Sequence, residues 1–484
     1  MLPTEVKVNV KPVFAQLVHS GYYEGPCRVG REEDLSPEGE RQNARADFEQ
    51  FVQELRENVG PDVKLLEPVY MEWGEDFVVP EAELAKLEPD VHNADLILMA
   101  PSGLAQYPSI TIAHRYEKPI GRMGWVGSVD VAAYLRSRGL EGYAFLGSAP
   151  SGTWPGIAAA THEPRYDHLN HTLSLLRVRK AFQKTRILVA TEGNAGVPTG
   201  VVSSIWDLEG LKRRYGVDYT CVSALELVRS MDDLSEAERQ QAEDLTDTLI
   251  ENAEAVHMSR DDILPSAVFY VATKKALDKY ESNAFTIPCF ELCTKRIPQE
   301  RRVTFCLTHS LLKDQGIASA CEADTNVLMA IALLMYLSGK TAYMGNSYLV
   351  DAEENILAVH HDVPGLKMKG YDEPDVPYEI RNFTVGGWGA TIRYDFSRDV
   401  GAPVTLARFD PTGTKVLVIR AEVAGCGGFD EVGCSLRVHL KVRDIVDLFH
   451  KELEFGHHLA MVYGDYVEDV KELGQMMGFE VVET

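Results

Sequence analysis

Residues 327–337 carry no polar group except the Tyr336 hydroxyl. The run is too short to span a bilayer, which takes about 20 apolar residues. It therefore reads as a helix buried inside a globular protein and covered by other layers of structure. Just before it, Cys321-Glu322-Ala323-Asp324-Thr325-Asn326 brings two carboxylates to the mouth of that helix. Carboxylates in such a place are costly unless something holds them. The free N–H groups of a helix N-terminus can do so, and so can a metal ion.

An α/β pattern precedes this stretch. Residues 6–17 open with a strand pattern, and 40–59 have apolar residues at helical spacing (Phe48, Phe51, Val52, Leu55). Residues 95–100 are almost wholly apolar and stop at Pro101-Ser102-Gly103. A parallel strand buried on both faces ends in this way. Strands at 119–121 and 143–147, with a helix at 129–138 between them, continue an open α/β sheet. After a basic helical stretch at 166–184 the pattern restarts. A strand at 186–191 runs into Glu192-Gly193-Asn194, and another is expected at 217–222. Helices are expected over 206–215, 234–255 and 260–280. A strand over 284–290 would deliver Glu291. Beyond about Gly370 the period changes to two, as in 415–420 and 435–442, with Gly-rich turns between (Gly386-Gly387, Gly425-Cys426-Gly427-Gly428). That is an antiparallel sheet or barrel pattern. A helix at 466–477 and a strand at 479–482 close the chain. The expected fold class is α/β. Two open, Rossmann-like α/β domains (1–175, and 176–318 with Glu291) precede a β-rich C-terminal domain (319–484) with Asp324 and His458.

Charge narrows the partners. A formal net charge of -25 disfavours nucleic acid and anionic membranes, which select basic faces. No membrane span, P-loop or Gly-x-Ser-x-Gly elbow is present, and the start of the chain lacks a signal-peptide pattern. A cytoplasmic enzyme of small-molecule chemistry is expected. The eight cysteines form no framework of short loops and read as free thiols. Cys289, Cys293 and Cys321 raise the rival idea of a structural zinc site. A single Cys-x3-Cys without a second close pair does not make one.

Four places could carry chemistry. Glu291 would sit at a strand end, where α/β sheets place their sites. The second place is Glu322/Asp324, where Asp324, taken alone, reads as a helix N-cap. His360-His361 and His457-His458 are adjacent pairs on strands, so at most one of each pair faces a shared site. Together, two carboxylates and one or two histidines form a mixed O/N donor set suited to Mn²⁺, Mg²⁺ or Co²⁺. Arg115, Lys118, Arg393 and Arg408 could meet an anionic substituent, although surface salt bridges account for them more simply.

These pieces, in order, resemble a known group. They are Pro288-Cys289-Phe290-Glu291, Gly316-Ile317-Ala318-Ser319-Ala320-Cys321-Glu322-Ala323-Asp324 and Leu337-Ser338-Gly339-Lys340. Asp351-Ala352-Glu353-Glu354-Asn355 then leads to His360. Gly433-Cys434-Ser435-Leu436-Arg437-Val438, Gly456-His457-His458-Leu459 and Tyr463-Gly464-Asp465 follow. Their order and spacing resemble the L-fucose isomerase and L-arabinose isomerase superfamily, with the N-terminal third alike only in architecture.

The resemblance implies a metal-dependent aldose–ketose isomerase acting on a free pentose, hexose or modified (deoxy or sulfo) sugar. Glu291 and Asp324 would be metal ligands as well as acid and base, and His458 the histidine ligand, with His457 as the fallback. His360 and Asn346 would line the pocket, and Glu322 would be a neighbour that shapes the site's charge. The cofactor implied is a divalent metal, Mn²⁺ before Mg²⁺ or Co²⁺. A homo-oligomer of three to six copies is implied, with the site near a subunit interface. Two departures, Asn346 for Asp and His360-His361-Asp362 for His-Cys-Gly, fall near the expected sugar pocket and bear on substrate identity. The chemistry moves a proton between C1 and C2 through an enediolate, whose charge a divalent ion offsets. A non-catalytic sugar-binding or regulatory protein on the same scaffold, or a metal-dependent sugar epimerase or lyase, are the alternatives.

Overall fold

A computed structural model describes residues 2–25, 30–101, 105–124, 127–145, 166–191 and 201–484. The expected loops at Ser102-Gly103 and Glu192-Gly193-Asn194, with Gly147 and Cys27, lie outside the described residues. The chain divides into two compact units, residues 7–177 and residues 1–6 with 178–484.

The first unit is built on a parallel sheet. Strands Val8–Leu17, Leu96–Met99, Ile120–Met123 and Gly142–Phe145 lie side by side, with Val63–Leu65 and Val69–Trp73 both pairing with Val8–Leu17. All four residues of Leu96–Met99 are buried, which is why this strand lacks the alternation of a half-exposed one. The helix Pro37–Asn58 starts three residues before the expected residue 40. Pro37 opens it, and the Ser36 hydroxyl accepts a hydrogen bond from Gly39 N–H.

The second unit holds another parallel sheet, in the order Ala318–Ala320, Ala284–Thr286, Arg186–Thr191, Asp218–Ser223. It also holds six strands that close on themselves: Pro403–Phe409, His458–Tyr463, Tyr343–Asp351, Ile356–His360, Arg437–Val442 and Lys415–Gly427. The last pairs back with the first, and all these pairings are antiparallel. Closure removes the exposed edges of the sheet. Inward side chains such as Tyr343, Leu357, Leu406, Leu417 and Met461 fill the interior. Parallel α/β sheets followed by a β-rich part agree with the expected fold class. Two local expectations change. The strand expected over 284–290 ends at Thr286, and Glu291 instead lies on a short helix, Cys289–Thr294. The β-rich part also contains the helix Ile445–Phe455.

The apolar run forms the helix Thr325–Ser338. It packs against strand Ala318–Ala320 of the parallel sheet and, on the barrel, against Pro403–Phe409 and His458–Tyr463. Layers on more than one side explain why every residue from Thr325 to Tyr336 is buried. The helix N-terminus therefore opens where sheet and barrel meet. Among the described residues no helix is long and apolar enough to cross a membrane.

Candidate functional site

The turn Cys321–Asp324 joins the last parallel strand to the buried helix. Glu322 (φ 60°) and Ala323 (φ 50°) both take the left-handed conformation, which non-glycine residues seldom adopt. Such outliers cost about 1–3 kcal/mol each and cluster at functional sites. The turn is held on several sides: Ala323 N–H donates to Ile287 O, Val201 N–H to Glu322 O, and the Ser204 hydroxyl to Ala323 O.

Asp324 caps the helix, and it does more than cap it. Its Oδ1 accepts from Asn326 N (2.9 Å) and Val327 N (3.2 Å). Its Oδ2 lies 2.7 Å from Arg408 Nη1 and 2.9 Å from His458 Nδ1. Burial works against the charge, yet Arg408 and then His458 hold this carboxyl well below the usual range. Arg408 is fully buried. It also donates to Phe455 O (2.6 Å), His458 O (2.9 Å) and Ser203 Oγ (3.1 Å). A side chain at Gly456 (φ +96°) would strike Ser203 and Arg408. Arg393 is equally buried, against Asp362. Neither arginine makes the surface salt bridge expected of it, because each is enclosed with a carboxylate and carbonyl oxygens. Arg115 does lie among surface carboxylates, Glu81 and Glu88, and Lys118 donates to His92 O.

His458 is the first residue of a barrel strand and is buried. With Nδ1 against Asp324, its Nε2 points the other way, to within 3.3 Å of His361 Nε2 and 3.8 Å of Glu322 Oε2. His361 Nε2 is in turn 3.6 Å from Glu322 Oε1. The ring's other nitrogen, Nδ1, lies 3.1 Å from Cys434 Sγ. Glu322, His361 and His458 thus converge within 4.8 Å and could hold a metal ion.

The donor set fits a divalent cation. Each imidazole has an outer partner on Nδ1, which leaves Nε2 toward the shared centre, as metal-ligating histidines are usually arranged. Two Nε2 atoms at 3.3 Å repel each other's lone pairs unless a proton or a metal ion lies between them. Burial pushes His458 down to about 4. Burial also opposes charge on His361, but Cys434, by charge and hydrogen bond, and then Glu322 raise it to about 9. Surroundings that favour a proton there also favour a divalent cation, which would displace it. Burial, offset in part by His361, pushes the Glu322 carboxyl up.

The other expected residues lie around this group. Asn346 Nδ2 is 3.3 Å from His361 Nε2 and 3.4 Å from His360 Nε2. His360 and His361 both reach Asn346 because the strand ends at His360, so strict alternation of faces no longer applies. Gly345 permits this approach: a Cβ there would come within 2.6 Å of the His360 backbone. His457 is exposed, its ring centroid 4.8 Å from that of His458. Glu291 is close enough for its charge to add to the rise of the Glu322 carboxyl, although it is not one of the three converging groups. Val201, Val202, Ser203, Phe290, Glu322 and His457 line an open cleft of about 300 Å³ beside them. Sequence reasoning passed over Glu322 and His361 as donors. The only local signal for them was two polar residues flanking ones already chosen.

No family model matches the chain. Similarity to curated proteins is nonetheless extensive. The chain is 26% identical over 331 residues to the sulfoquinovose isomerase of Alkalicoccus urumqiensis, which covers 64% of this chain and 68% of that protein. It is 25% identical over 329 residues to the sulfoquinovose isomerases of Priestia aryabhattai and Priestia megaterium, covering 65% of this chain and 68% of each of them. The similarity is to sugar isomerases.

Proposed function

We propose that this protein is a metal-dependent aldose–ketose isomerase of the fucose and arabinose isomerase superfamily, an intramolecular oxidoreductase acting on a free sugar. The similarity to proteins named for isomerising sulfoquinovose supports the reaction class. It makes a sulfonated hexose the first substrate to try, ahead of pentoses and deoxyhexoses. The observation that carries the metal dependence is the convergence of Glu322, His361 and His458 beside an open cleft.

In this reading Glu322, His361 and His458 hold a divalent ion, Mn²⁺ before Mg²⁺ or Co²⁺. When bound, the ion supplies a Lewis acid for the sugar's carbonyl and hydroxyl oxygens. Asp324, with all its oxygen positions engaged, orients His458 and does not itself carry protons. Glu291 is then the carboxylate that takes the proton from one carbon and returns it to the neighbouring one, help of a kind that contributes about 10²–10⁴-fold. Asn346 and His360 meet sugar hydroxyls. A homo-oligomer with the site near a subunit interface belongs to the same reading.

A panel of aldoses and ketoses that includes sulfonated hexoses, incubated with Mn²⁺ and read by product NMR, tests it. Ketose formation that stops with chelator, returns with Mn²⁺ and falls at least 100-fold in Glu291→Gln is expected. Full turnover after chelation would overturn the metal role. Deuterium entering C2 with no shift of the carbonyl would replace isomerisation by epimerisation.

A further inference from the structure

Among the described residues that line the cleft, none is a lysine or arginine. A sugar with an anionic end needs a cation from elsewhere. Of those expected to meet an anion, Arg408 and Arg393 are enclosed with Asp324 and Asp362. Arg115 and Lys118 belong to the other compact unit. The register of the barrel singles out a different arginine.

Four pairings lead away from the site without a break. His458 lies opposite Asn346, Asn346 opposite His360, His360 opposite Arg437, and Arg437 opposite Gly427. Directly opposed residues share one face of a sheet. Here that is the outer face, because the alternate residues Val359, Val438 and Leu459 fill the interior. One row of polar side chains therefore runs from His458 across to Arg437. Strands lie about 4.8 Å apart, so Arg437 stands roughly 10 Å from Asn346 along the row. The outer face around it is low. Ala358 and Gly425 flank His439 in the next row. A Cβ at Gly427 would come within 2.6 Å of Arg437 Nε, so the glycine gives this side chain room to lie flat.

The guanidinium is held lightly. Its Nη1 and Nη2 donate to Glu431 Oε2 and Oε1 at 3.3 and 3.0 Å, and Nη1 also to Ser435 O at 3.3 Å. The Arg437 side chain is 27% exposed and that of Glu431 59%. Exposed pairs of this kind contribute little to stability. The Glu431 carboxylate thus occupies the arginine and exchanges for another anion at small cost.

We propose that Arg437 recognises a sulfonate on the sixth carbon of the sugar, taking it in exchange for Glu431. This rests on the isomerase reading above. An open-chain hexose with its first two carbons at Glu322, His361 and His458 lies along the row. Asn346 and His360 meet its middle hydroxyls, and its far end reaches Arg437. The planar fork of the guanidinium suits a tetrahedral anion, to which it donates two parallel hydrogen bonds. Arg437 sets specificity and touches no reacting carbon.

The test measures binding to the full chain by calorimetry, with Mn²⁺ present, alongside turnover by product NMR. The ligands are a 6-sulfonated hexose, its 6-deoxy counterpart and the hexose 6-phosphate. The wild type is expected to bind the sulfonated sugar most tightly. In Arg437→Met its preference over the 6-deoxy sugar should fall about 10–100-fold, carried by KM and not by kcat. Arg437→Lys keeps the charge but not the fork and should lose less. Glu431→Gln frees the guanidinium and should raise the preference about 2–5-fold. A merely structural ion pair would instead move Arg437→Met and Glu431→Gln in the same direction, which would overturn the exchange. Absence of a preference in the wild type, or a preference that survives Arg437→Met, overturns the anion site and leaves any isomerase activity standing. An Arg437-dependent preference in a protein that converts none of these sugars overturns the isomerase reading and leaves the anion site standing. Tighter Arg437-dependent binding of the 6-phosphate overturns the choice of sulfonate.

Discussion

Asp324 and Asp362 are built alike and end far apart. Both are fully buried, and both accept two backbone N–H groups on Oδ1, from Asn326 and Val327 in one case and Ser435 and Leu436 in the other. Each meets a buried arginine on Oδ2, Arg408 at 2.7 Å or Arg393 at 2.6 Å. Yet Asp324 is held well below the usual carboxylate range, while burial and then Cys434 push Asp362 up to about 6. The remaining neighbour differs. Asp324 has His458, a donor, and Asp362 has Cys434, a source of negative charge. An arginine does not by itself decide the state of a buried carboxylate; the balance of everything around it does. Here one pair steadies a histidine of the site, and the other anchors the loop that brings Cys434 to the second histidine.

The largest effect should come from breaking the first pair. Arg408→Met leaves a buried carboxylate and three oxygen acceptors (Phe455 O, His458 O and Ser203 Oγ) without their donor. Loss of one partner of a buried pair costs about 3–5 kcal/mol, and urea unfolding at neutral pH should show a loss of that size. A loss below about 1 kcal/mol would mean that His458 alone can hold Asp324.

Breaking the second pair should give a smaller loss that depends on pH. The folded state raises the Asp362 pKa to about 6, above the unfolded value of about 3.9. It therefore binds a proton more readily than the unfolded chain, and this group's contribution to stability grows as pH falls through 6. Asp324, shifted the opposite way, contributes stability above its unfolded value and loses it only as pH falls through its depressed folded value. Arg393→Met should therefore be less destabilising at pH 5 than at pH 8, by more than about 1 kcal/mol. Equal losses at both would contradict a raised carboxyl at Asp362.

The smallest effect is expected at the surface. Arg420, 42% exposed, meets Asp465, Glu468 and Glu483. Exposed pairs are worth about 0.2–1 kcal/mol, so Arg420→Ala should lower stability by no more than that, and by less in high salt. A loss as large as that of Arg408→Met would erase the distinction between buried and exposed pairs.

Much of the fold was legible because its signals are local. Residues 186–191 read as a buried strand and 166–184 as a helix, and both are found there; 435–442 read as an alternating strand, which begins two residues later, at Arg437. The cap at Asp324 was legible for the same reason: residue type and position carry it. Glu322 was harder to place, because its direction depends on a left-handed backbone that its side chain does not advertise. His361 was lost to an argument about alternating faces, which fails one residue past the end of a strand. Arg393 and Arg408 looked like surface residues because a charge in sequence carries no record of the partners that enclose it.

The sequence by itself determined that a wholly apolar helix must lie between layers, that parallel α/β sheets precede a β-rich part, and that a carboxylate stands at the mouth of that helix. Burial of apolar surface follows residue type and period, and both are written along the chain. Only the tertiary structure decided which groups face one another. Glu322, His361 and His458 are separated by 39 and 97 residues, and a strained turn, a strand end and a barrel strand bring them together. Distances between side chains depend on that folding, and no local pattern encodes them.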